Sequence, residues 1–206
     1  MKISYAVTVK DELEYIQNLI PFLLKHKREE DEIVVLWDNK GDIKVWEYLT
    51  SQEPNNYFVY EGNFTNNFAD WKNLLNSLTS GDYLFQIDAD ELPSEFSIKM
   101  LPLLLEQNPE TEIFFVPRIN IVEGITKEYI DQMHWSVNEK GYINWESDYQ
   151  GRIFKNKDEI KWEGCVHEKI TGYKSYTYLP LLEEWALLHK KSFERQQKQN
   201  QLYSQL

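Results

Sequence analysis

The segment Tyr83–Glu91 reads YLFQIDADE, an apolar run that ends in three carboxylates. The run Tyr83–Ile87 is typical of a strand buried on both faces, and Asp88 and Asp90 follow it directly. Residues two apart on an extended chain point to the same side, so these two carboxylates are expected to share one cation. Mg²⁺ and Mn²⁺ prefer oxygen ligands and keep positions open for substrate phosphates. The segment therefore predicts a strand-end site for Mg²⁺ or Mn²⁺, with a solvated strand-end turn as the alternative.

The residues before this segment alternate between short apolar runs and amphipathic helix patterns. The predicted strands are Ile3–Val9, Glu32–Trp37, Tyr57–Tyr60 and Tyr83–Ile87, and the predicted helices are Asp11–Lys27, Ile43–Leu49 and Phe68–Leu78. Asp11 is expected to cap the first helix, and Pro21 to kink or divide it. The alternation predicts a parallel sheet with right-handed crossovers, which binds ligands beyond the carboxyl ends of its strands. Thr8–Glu12, Asp38–Asp42 and Asp88–Glu91 are therefore expected at one sheet edge.

The second half of the chain is less regular. Its predicted elements are a helix at Ser94–Glu106, strands at Ile113–Pro117, Gln150–Phe154 and Glu184–Leu188, and a polar helix at Phe193–Leu206. Between Asn120 and Tyr149 the pattern breaks into segments that carry Trp, Tyr and Asn. The sequence contains no repeat and no Gly/Ser linker that would separate a second domain. The predicted fold class is therefore α/β, with a mostly parallel central sheet flanked by helices and a smaller irregular half.

Composition and charge limit the classes of partner. With 206 residues and 42% hydrophobic content, the chain suits one globular domain. A formal net charge of -12 argues against nucleic acid and anionic membranes as partners, because an acidic surface repels both. The sequence has no apolar run of membrane-spanning length and no signal peptide, and its single cysteine, Cys165, excludes an internal disulfide. We therefore expect a cytoplasmic protein without a membrane span. Because the sequence ends in a polar helical segment, we also expect that the chain could be one domain of a longer protein.

Seven short segments form a further pattern. They are Ser4–Glu12, Asp38, Asn67–Asn73, Gly81–Glu91, Arg152–Phe154, Trp162–Glu168 and His189. Together they resemble the family 2 class of GT-A glycosyltransferases, in particular the small bacterial or viral enzymes that build cell-surface glycans. Two departures are that Lys72 stands where the family has Arg, and that the second Asp of the turn Asp38–Asp42 comes one residue early. The resemblance implies a Rossmann-like GT-A fold in one domain, residues 1–206, with a nucleotide-sugar half at about 1–118 and an acceptor-side half at about 119–206.

The resemblance also implies an activity. The implied enzyme is a metal-dependent, inverting glycosyltransferase of the hexosyltransferase type. It moves a sugar from a UDP-linked donor to a hydroxyl of a glycan or other acceptor. By the same resemblance, Asp38 contacts the base, Lys72 approaches the diphosphate, and His189 completes the shell of the metal, since Mn²⁺ accepts imidazole. The implied donor-binding residues are Thr8, Lys10, Glu12, Asp38, Lys72, Asp88 and Arg152, and the implied metal ligands are Asp88, Asp90 and His189.

An inverting transfer needs a base that takes the proton from the acceptor hydroxyl. The resemblance favours Glu168 for this role, with Glu163 and Glu91 as alternatives. Adjacent residues on a strand point to opposite faces, so His167 and Glu168 are not expected to act on the same proton. Two other classes of function stay open. One is a nucleotidyltransferase-like enzyme, which the lack of a Gly-rich phosphate loop disfavours, and the other is a non-catalytic carbohydrate-binding domain of the same fold.

Overall fold

The computed structural model describes residues 1–51 and 57–203, with side chains through residue 201. The first half of the chain forms parallel strands connected by helices, as the alternation predicts. The strands are β1 (Ile3–Val9), β2 (Glu32–Asp38), β3 (Phe58–Gly62) and β4 (Tyr83–Asp88), and the helices are α1 (Leu13–His26), α2 (Ile43–Ser51) and α3 (Phe68–Ser77). The predicted α/β fold with a mostly parallel central sheet is confirmed.

Burial explains why β1, β2 and β4 are almost entirely apolar. β1 lies between β2 and β4, with Val7 in register with Val35 on one side and Ile87 on the other. All three side chains are fully buried, because helices cover both faces of this part of the sheet. Tyr5 and Phe85 pack next to each other in the same core, with ring centroids 6.0 Å apart. The carboxyl ends of these strands therefore form one continuous edge.

Helix α1 buries one apolar stripe against the sheet, but it begins differently from the prediction. Glu12, not Asp11, is its N-terminal boundary residue, and no side chain caps it. Asp11 instead accepts a hydrogen bond from the backbone N–H of Asp42 at 2.7 Å, so it ties two strand-end loops together. Pro21 lies inside the helix without dividing it. Among the residues that the structure describes, no helix combines the length and the apolar character that crossing a membrane requires.

The second half adds seven strands and three α-helices among the described residues. They are β5 (Glu91–Leu92), α4 (Glu95–Gln107), β6 (Ile113–Glu123), α5 (Lys127–Gln132), β7 (Tyr149–Lys155), β8 (Lys161–Glu163), β9 (Lys169–Thr171), β10 (Tyr176–Tyr178), β11 (Leu187–Ser192) and α6 (Phe193–Tyr203). The main sheet has the strand order β3-β2-β1-β4-β7-β6-β11-β5, and β10 pairs with β6. β7 runs antiparallel between β4 and β6, and β8 and β9 form a separate hairpin.

Two predicted strands have the wrong bounds. The strand predicted at Ile113–Pro117 continues to Glu123, and the strand predicted at Glu184–Leu188 is replaced by a short 3-10 turn at Glu183–Trp185 followed by β11. Both errors have the same cause. The missed parts of these strands carry polar side chains that face the protein, so a search for apolar runs does not find them. Residues 204–206 of the predicted last helix lie outside the described residues.

Candidate functional site

A cavity of about 670 Å³ opens next to the carboxyl end of β4. Strands β6, β7 and β11 and the β8–β9 hairpin supply its other walls. This is the sheet edge at which a parallel α/β fold binds its ligands. Several of the residues predicted from the sequence line the cavity together, namely Lys72, Asp88, Asp90, Arg152, Glu168 and His189.

Asp88 occupies the last position of β4, beside Thr8 of β1. One carboxylate oxygen accepts a hydrogen bond from the guanidinium of Arg152, and the other lies 3.5 Å from Lys72 Nζ. Burial alone would raise the pKa of Asp88, but the charges of Arg152 and Lys72 hold that pKa well below its usual range. Asp88 is therefore an ionised carboxylate that two cations of the protein already neutralise.

Asp90 engages different partners. Ala89 and Asp90 form a turn, so the prediction of an extended segment from Asp88 to Asp90 is wrong. Asp90 Oδ2 lies 3.4 Å from His189 Nε2 and 3.4 Å from Arg195 Nη2. Burial would raise the pKa of Asp90, but its contacts with His189 and Arg195 hold that pKa below its usual range. The turn thus separates the surroundings of the two carboxylates.

Asp90 and His189 are the pair that fits a divalent cation. Two neighbouring ligands of an octahedral Mg²⁺ ion, each about 2.1 Å from it, are about 3 Å apart. The 3.4 Å between Asp90 Oδ2 and His189 Nε2 is close to that separation, and Mn²⁺ accepts both types of donor. Within residues 1–51 and 57–201, no group of three or more His, Cys, Asp or Glu side chains is arranged to hold a metal ion. The protein would therefore supply two ligands, and the remaining positions would go to a bound phosphate or to water.

Glu168 reaches the cavity from the loop between β8 and β9. Its Oε1 lies 2.6 Å from Lys72 Nζ, and Lys72 Nζ lies 4.4 Å from the centroid of the Trp162 ring. Trp162 Nε1 donates to Gln86 Oε1 at 2.8 Å, which fixes the indole against β4. Lys72 is buried, so water screens its charge only weakly. The ion pair therefore holds the Glu168 carboxylate in a fixed place at the cavity wall.

The two alternative candidates for the base lie in other surroundings. Glu91 is buried, and its Oε1 accepts from Arg152 Nη2 at 2.7 Å and from Arg118 Nη1 at 3.3 Å. Glu163 projects from β8 into solvent, with 56% of its side chain exposed. The cavity lining described by the structure includes Glu168 but neither of these two. A ligand in the cavity would thus meet Glu168 first.

The residues predicted to contact the nucleotide lie at the carboxyl ends of β1 and β2, next to the cavity lining. Asp38 is buried there, and its Oδ1 accepts from the backbone N–H of Phe64 at 3.2 Å. Its Oδ2 makes no hydrogen bond to the described residues and lies 3.5 Å from Lys10 Nζ. Glu12 Oε2 accepts from the backbone N–H of Lys10 at 2.8 Å. Asp38 Oδ2 is therefore a buried acceptor without a hydrogen-bond donor among the described residues.

The loop that carries Glu168 is not a strand. His167 has a φ of +55° and lies in the β8–β9 loop, so the argument from alternating strand faces does not apply to His167 and Glu168. Both residues line the cavity. The backbone N–H of Phe68, in the first turn of α3, donates to the carbonyl oxygen of Cys165 at 3.0 Å. This bond ties the loop to the start of the helix that carries Lys72.

Sequence patterns missed a polar cluster on β6. Arg118 Nε donates to Asp148 Oδ2 at 3.0 Å, and Asn120 Nδ2 donates to the same oxygen. Burial would raise the pKa of Asp148, but the Arg118 charge and the hydrogen bonds that it receives hold that pKa below its usual range. Arg118 and Asn120 are two apart on a strand, so they face the same side. That alternation of polar residues was the signal that could have found them.

Two further cations come from β11 and α6. Lys191 lines the cavity, and its Nζ donates to Gln199 Oε1 at 2.6 Å. Burial lowers the pKa of Lys191 to about 8. Arg195 Nη2 lies 2.9 Å from Glu12 Oε1, in addition to its contact with Asp90. Helix α6 is therefore joined both to the cavity and to the loop after β1.

No family model and no curated protein matches the chain. Solved structures of S. aureus TarS resemble it. TarS 1–349 in complex with UDP has a TM-score of 0.60 at 13% identity, over 87% of this chain and 61% of that chain. TarS 1–349 in complex with UDP-GlcNAc has a TM-score of 0.57 at 13% identity, over 90% and 60%. The chain thus spans about three-fifths of these two TarS 1–349 structures, and it shares their fold.

Proposed function

We propose that this chain is a nucleotide-sugar glycosyltransferase, which moves a hexose from a UDP-linked donor to a hydroxyl of a glycan or other acceptor, with inversion at the anomeric carbon. The observation that carries the proposal is the cavity at the carboxyl end of β4, which Asp88, Asp90, Arg152 and Glu168 line together. The TarS structures of the same fold hold UDP and UDP-GlcNAc, which supports a uridine nucleotide as the donor.

Local cations make the cavity suitable for a diphosphate in spite of the formal net charge of -12. Lys72, Arg118, Arg152, Lys169 and Lys191 line it. Charges fixed in a buried site act strongly at short range, whereas the distant acidic surface is screened by salt. In this proposal Lys72 and Arg152 face the diphosphate. Asp38 Oδ2, which has no hydrogen-bond donor of its own among the described residues, accepts a hydrogen bond from the nucleoside.

The proposal includes a Mn²⁺ or Mg²⁺ ion held by Asp90 and His189; Asp88, which the family resemblance implies as a third ligand, pairs with Arg152 and Lys72 in the described structure. When bound, the ion neutralises the charge that develops on the leaving nucleotide diphosphate. Arg152 and Lys72 keep Asp88 ionised, which is the state in which a carboxylate can approach a cation. His189 is buried, and Asp90 is partly buried with 14% of its side chain exposed.

Glu168 is the proposed general base. Its carboxylate takes the proton from the acceptor hydroxyl while the oxygen of that hydroxyl forms a bond to the anomeric carbon. The bond between the anomeric carbon and the diphosphate oxygen breaks, and the nucleoside diphosphate leaves with its electron pair. Lys72 Nζ lies 2.6 Å from Glu168 Oε1 and holds the carboxylate in place at the cavity wall. The acceptor would thus bind on the β8–β9 side of the cavity.

The same proposal divides the chain into a nucleotide-sugar half at about 1–118 and an acceptor-side half at about 119–206. Residues from both halves line the cavity, among them Asp88 from the first and Glu168 from the second. Both halves are therefore needed to complete the site.

The test is a panel of UDP-, GDP- and dTDP-sugars incubated with the protein and Mn²⁺, with the release of nucleoside diphosphate measured over time. We expect release from a UDP-sugar, and an Asp90→Asn variant serves as the matched control with reduced release. Release of pyrophosphate in its place would indicate a nucleotidyltransferase-like enzyme. Binding of a donor or a sugar without any release would indicate a non-catalytic carbohydrate-binding domain.

A further inference from the structure

His189 is held by Asn120 on one ring nitrogen and faces Asp90 with the other. Asn120 and His189 are register partners on the adjacent parallel strands β6 and β11, so their side chains lie next to each other. His189 Nδ1 lies 2.8 Å from Asn120 Oδ1, and Asn120 Nδ2 donates to Asp148 Oδ2. A line of polar contacts thus runs from Asp148 through Asn120 and His189 to Asp90.

The chemistry of Asp148 decides which way round the Asn120 amide lies. An ionised carboxylate only accepts hydrogen bonds, so the NH₂ group of Asn120 must face Asp148 and its carbonyl oxygen must face His189. That carbonyl oxygen also only accepts. His189 must therefore carry a hydrogen on Nδ1, so Nε2, 3.4 Å from Asp90 Oδ2, is the ring nitrogen that can give up its hydrogen and offer a lone pair to a cation.

We infer that Asn120 and Asp148 are positioning residues that lock His189 in the tautomer able to bind a divalent cation through Nε2. In the opposite tautomer, Nε2–H would donate to Asp90, and the two side chains would share a hydrogen bond in place of a cation. Outer hydrogen bonds that orient a metal-binding histidine typically change metal affinity by about 10- to 100-fold. The inference rests on the proposed function for the use of the cation, but the tautomer can be measured without any donor or acceptor.

The first measurement is the ¹⁵N chemical shift of the His189 ring in histidine-labelled, metal-free protein at about pH 9, where imidazole is ordinarily neutral. The chain has four histidines, and the His189→Gln variant identifies the signal of His189. We expect the hydrogen on Nδ1 in the wild-type protein, and a shift towards the Nε2–H form in Asn120→Leu. A wild-type ring with its hydrogen on Nε2 overturns the inference, whether or not the variant folds.

The second measurement is the affinity for Mn²⁺ alone, from the EPR signal of free Mn²⁺ during a titration. We expect Asn120→Leu to bind Mn²⁺ about 10- to 100-fold more weakly. Gln150→Leu is the matched control, because Gln150 lines the same cavity and donates at 2.5 Å to Asp148 Oδ1, whereas Asn120 donates to Oδ2. Its Mn²⁺ affinity should not change, and equal affinities for Asn120→Leu and the wild type would overturn the inference.

The two experiments separate this inference from the proposed function. In one outcome, His189 carries its hydrogen on Nδ1 and Asn120→Leu loses Mn²⁺ binding as expected, but no nucleoside diphosphate is released. That outcome supports the inference and contradicts the proposed activity. In the other outcome, nucleoside diphosphate is released but His189 carries its hydrogen on Nε2. That outcome supports the proposed activity and contradicts the inference.

Discussion

Lys72 contacts two carboxylates and one aromatic ring with a single ammonium group. Its Nζ lies 2.6 Å from Glu168, 3.5 Å from Asp88 and 4.4 Å from the centre of the Trp162 ring. Three partners around one nitrogen atom suit a compact charge with three donors better than the planar fork of arginine. The lysine at this position, a departure from the family pattern, therefore has a local reason in the structure.

Glu168→Gln is expected to slow sugar transfer far more than it weakens donor binding. Gln keeps the shape of the side chain but cannot accept a proton, and general-base catalysis typically contributes about 10²- to 10⁴-fold. The measurement is the rate of transfer together with the affinity for UDP by calorimetry. Glu163→Gln is the matched control, because it makes the same change at a position exposed to solvent. A transfer rate near that of the wild type in Glu168→Gln would rule out this base.

Several site residues could be predicted from the sequence, and others could not, for a physical reason. Asp88 and Asp90 follow an apolar strand, so their position at the sheet edge was readable from the pattern alone. Glu168 and His189 were identified through family resemblance, and their roles stay predictions. Asn120 was missed, because its importance depends on a contact with a strand that lies far away in the chain, at β11.

At the scale of elements, the prediction worked where strands are apolar and failed where a buried face is polar. β1 and β2 are covered on both faces, so their bounds follow from hydrophobic runs. β11 alternates buried Leu187, His189 and Lys191 with less buried neighbours, and two of these buried side chains are polar. A search for apolar runs therefore stopped at Leu188. The sequence of a strand that lines a polar cavity therefore lacks the apolar pattern of a strand and resembles that of a loop.

The β8–β9 hairpin carries the loop with Glu168, and Gly172 closes it. Gly172 directly follows β9 and has a φ of +82°. A Cβ atom there would lie 1.7 Å from the carbonyl oxygen of Glu159, which is a backbone atom that cannot move aside alone. The end of the hairpin can thus pack against residue 159, just before β8, only because residue 172 has no side chain.

Gly172→Ala is therefore expected to destabilise the protein by more than about 2 kcal/mol, because backbone strain and a backbone clash add. The measurement is the free energy of unfolding from urea denaturation. Gly141→Ala is the matched control, since Gly141 has a similar φ of +81° but open space around its Cβ position. That variant should lose only about 1 kcal/mol, from the strain alone. Equal losses in the two variants would contradict the role of the close contact.

At the scale of the whole molecule, an acidic chain presents a cavity with cations on several walls. The formal net charge is -12, yet the cavity contains Lys72, Arg118, Arg152 and Lys191. Most of these cations already face carboxylates, such as Asp88 and Glu168 for Lys72. A diphosphate that enters the cavity therefore meets negative as well as positive groups, and an added cation would change that balance.

Binding of UDP is accordingly expected to depend on a divalent cation. We expect its affinity to fall by at least about tenfold, or about 1.4 kcal/mol, when chelator removes Mn²⁺, because the diphosphate then loses the cation that joins it to Asp90 and His189. Titration calorimetry with Mn²⁺ and with chelator measures the difference. The Asp90→Asn variant should show a smaller difference, since it has lost one ligand of the cation. The same affinity for UDP in both solutions would contradict a cation between protein and diphosphate.

Strand β6 runs through residue 118, the proposed boundary between the nucleotide-sugar half and the acceptor-side half. It pairs with β7 up to Pro117 and with β11 from Arg118 to Glu123, so a junction at residue 118 would cut one continuous strand. Gly124, with a φ of +78° and open space around it, marks the turn that ends the strand. A chimera that exchanges acceptor-recognition segments between proteins of this fold should therefore have its junction at Gly124, because all of β6 then comes from one parent protein.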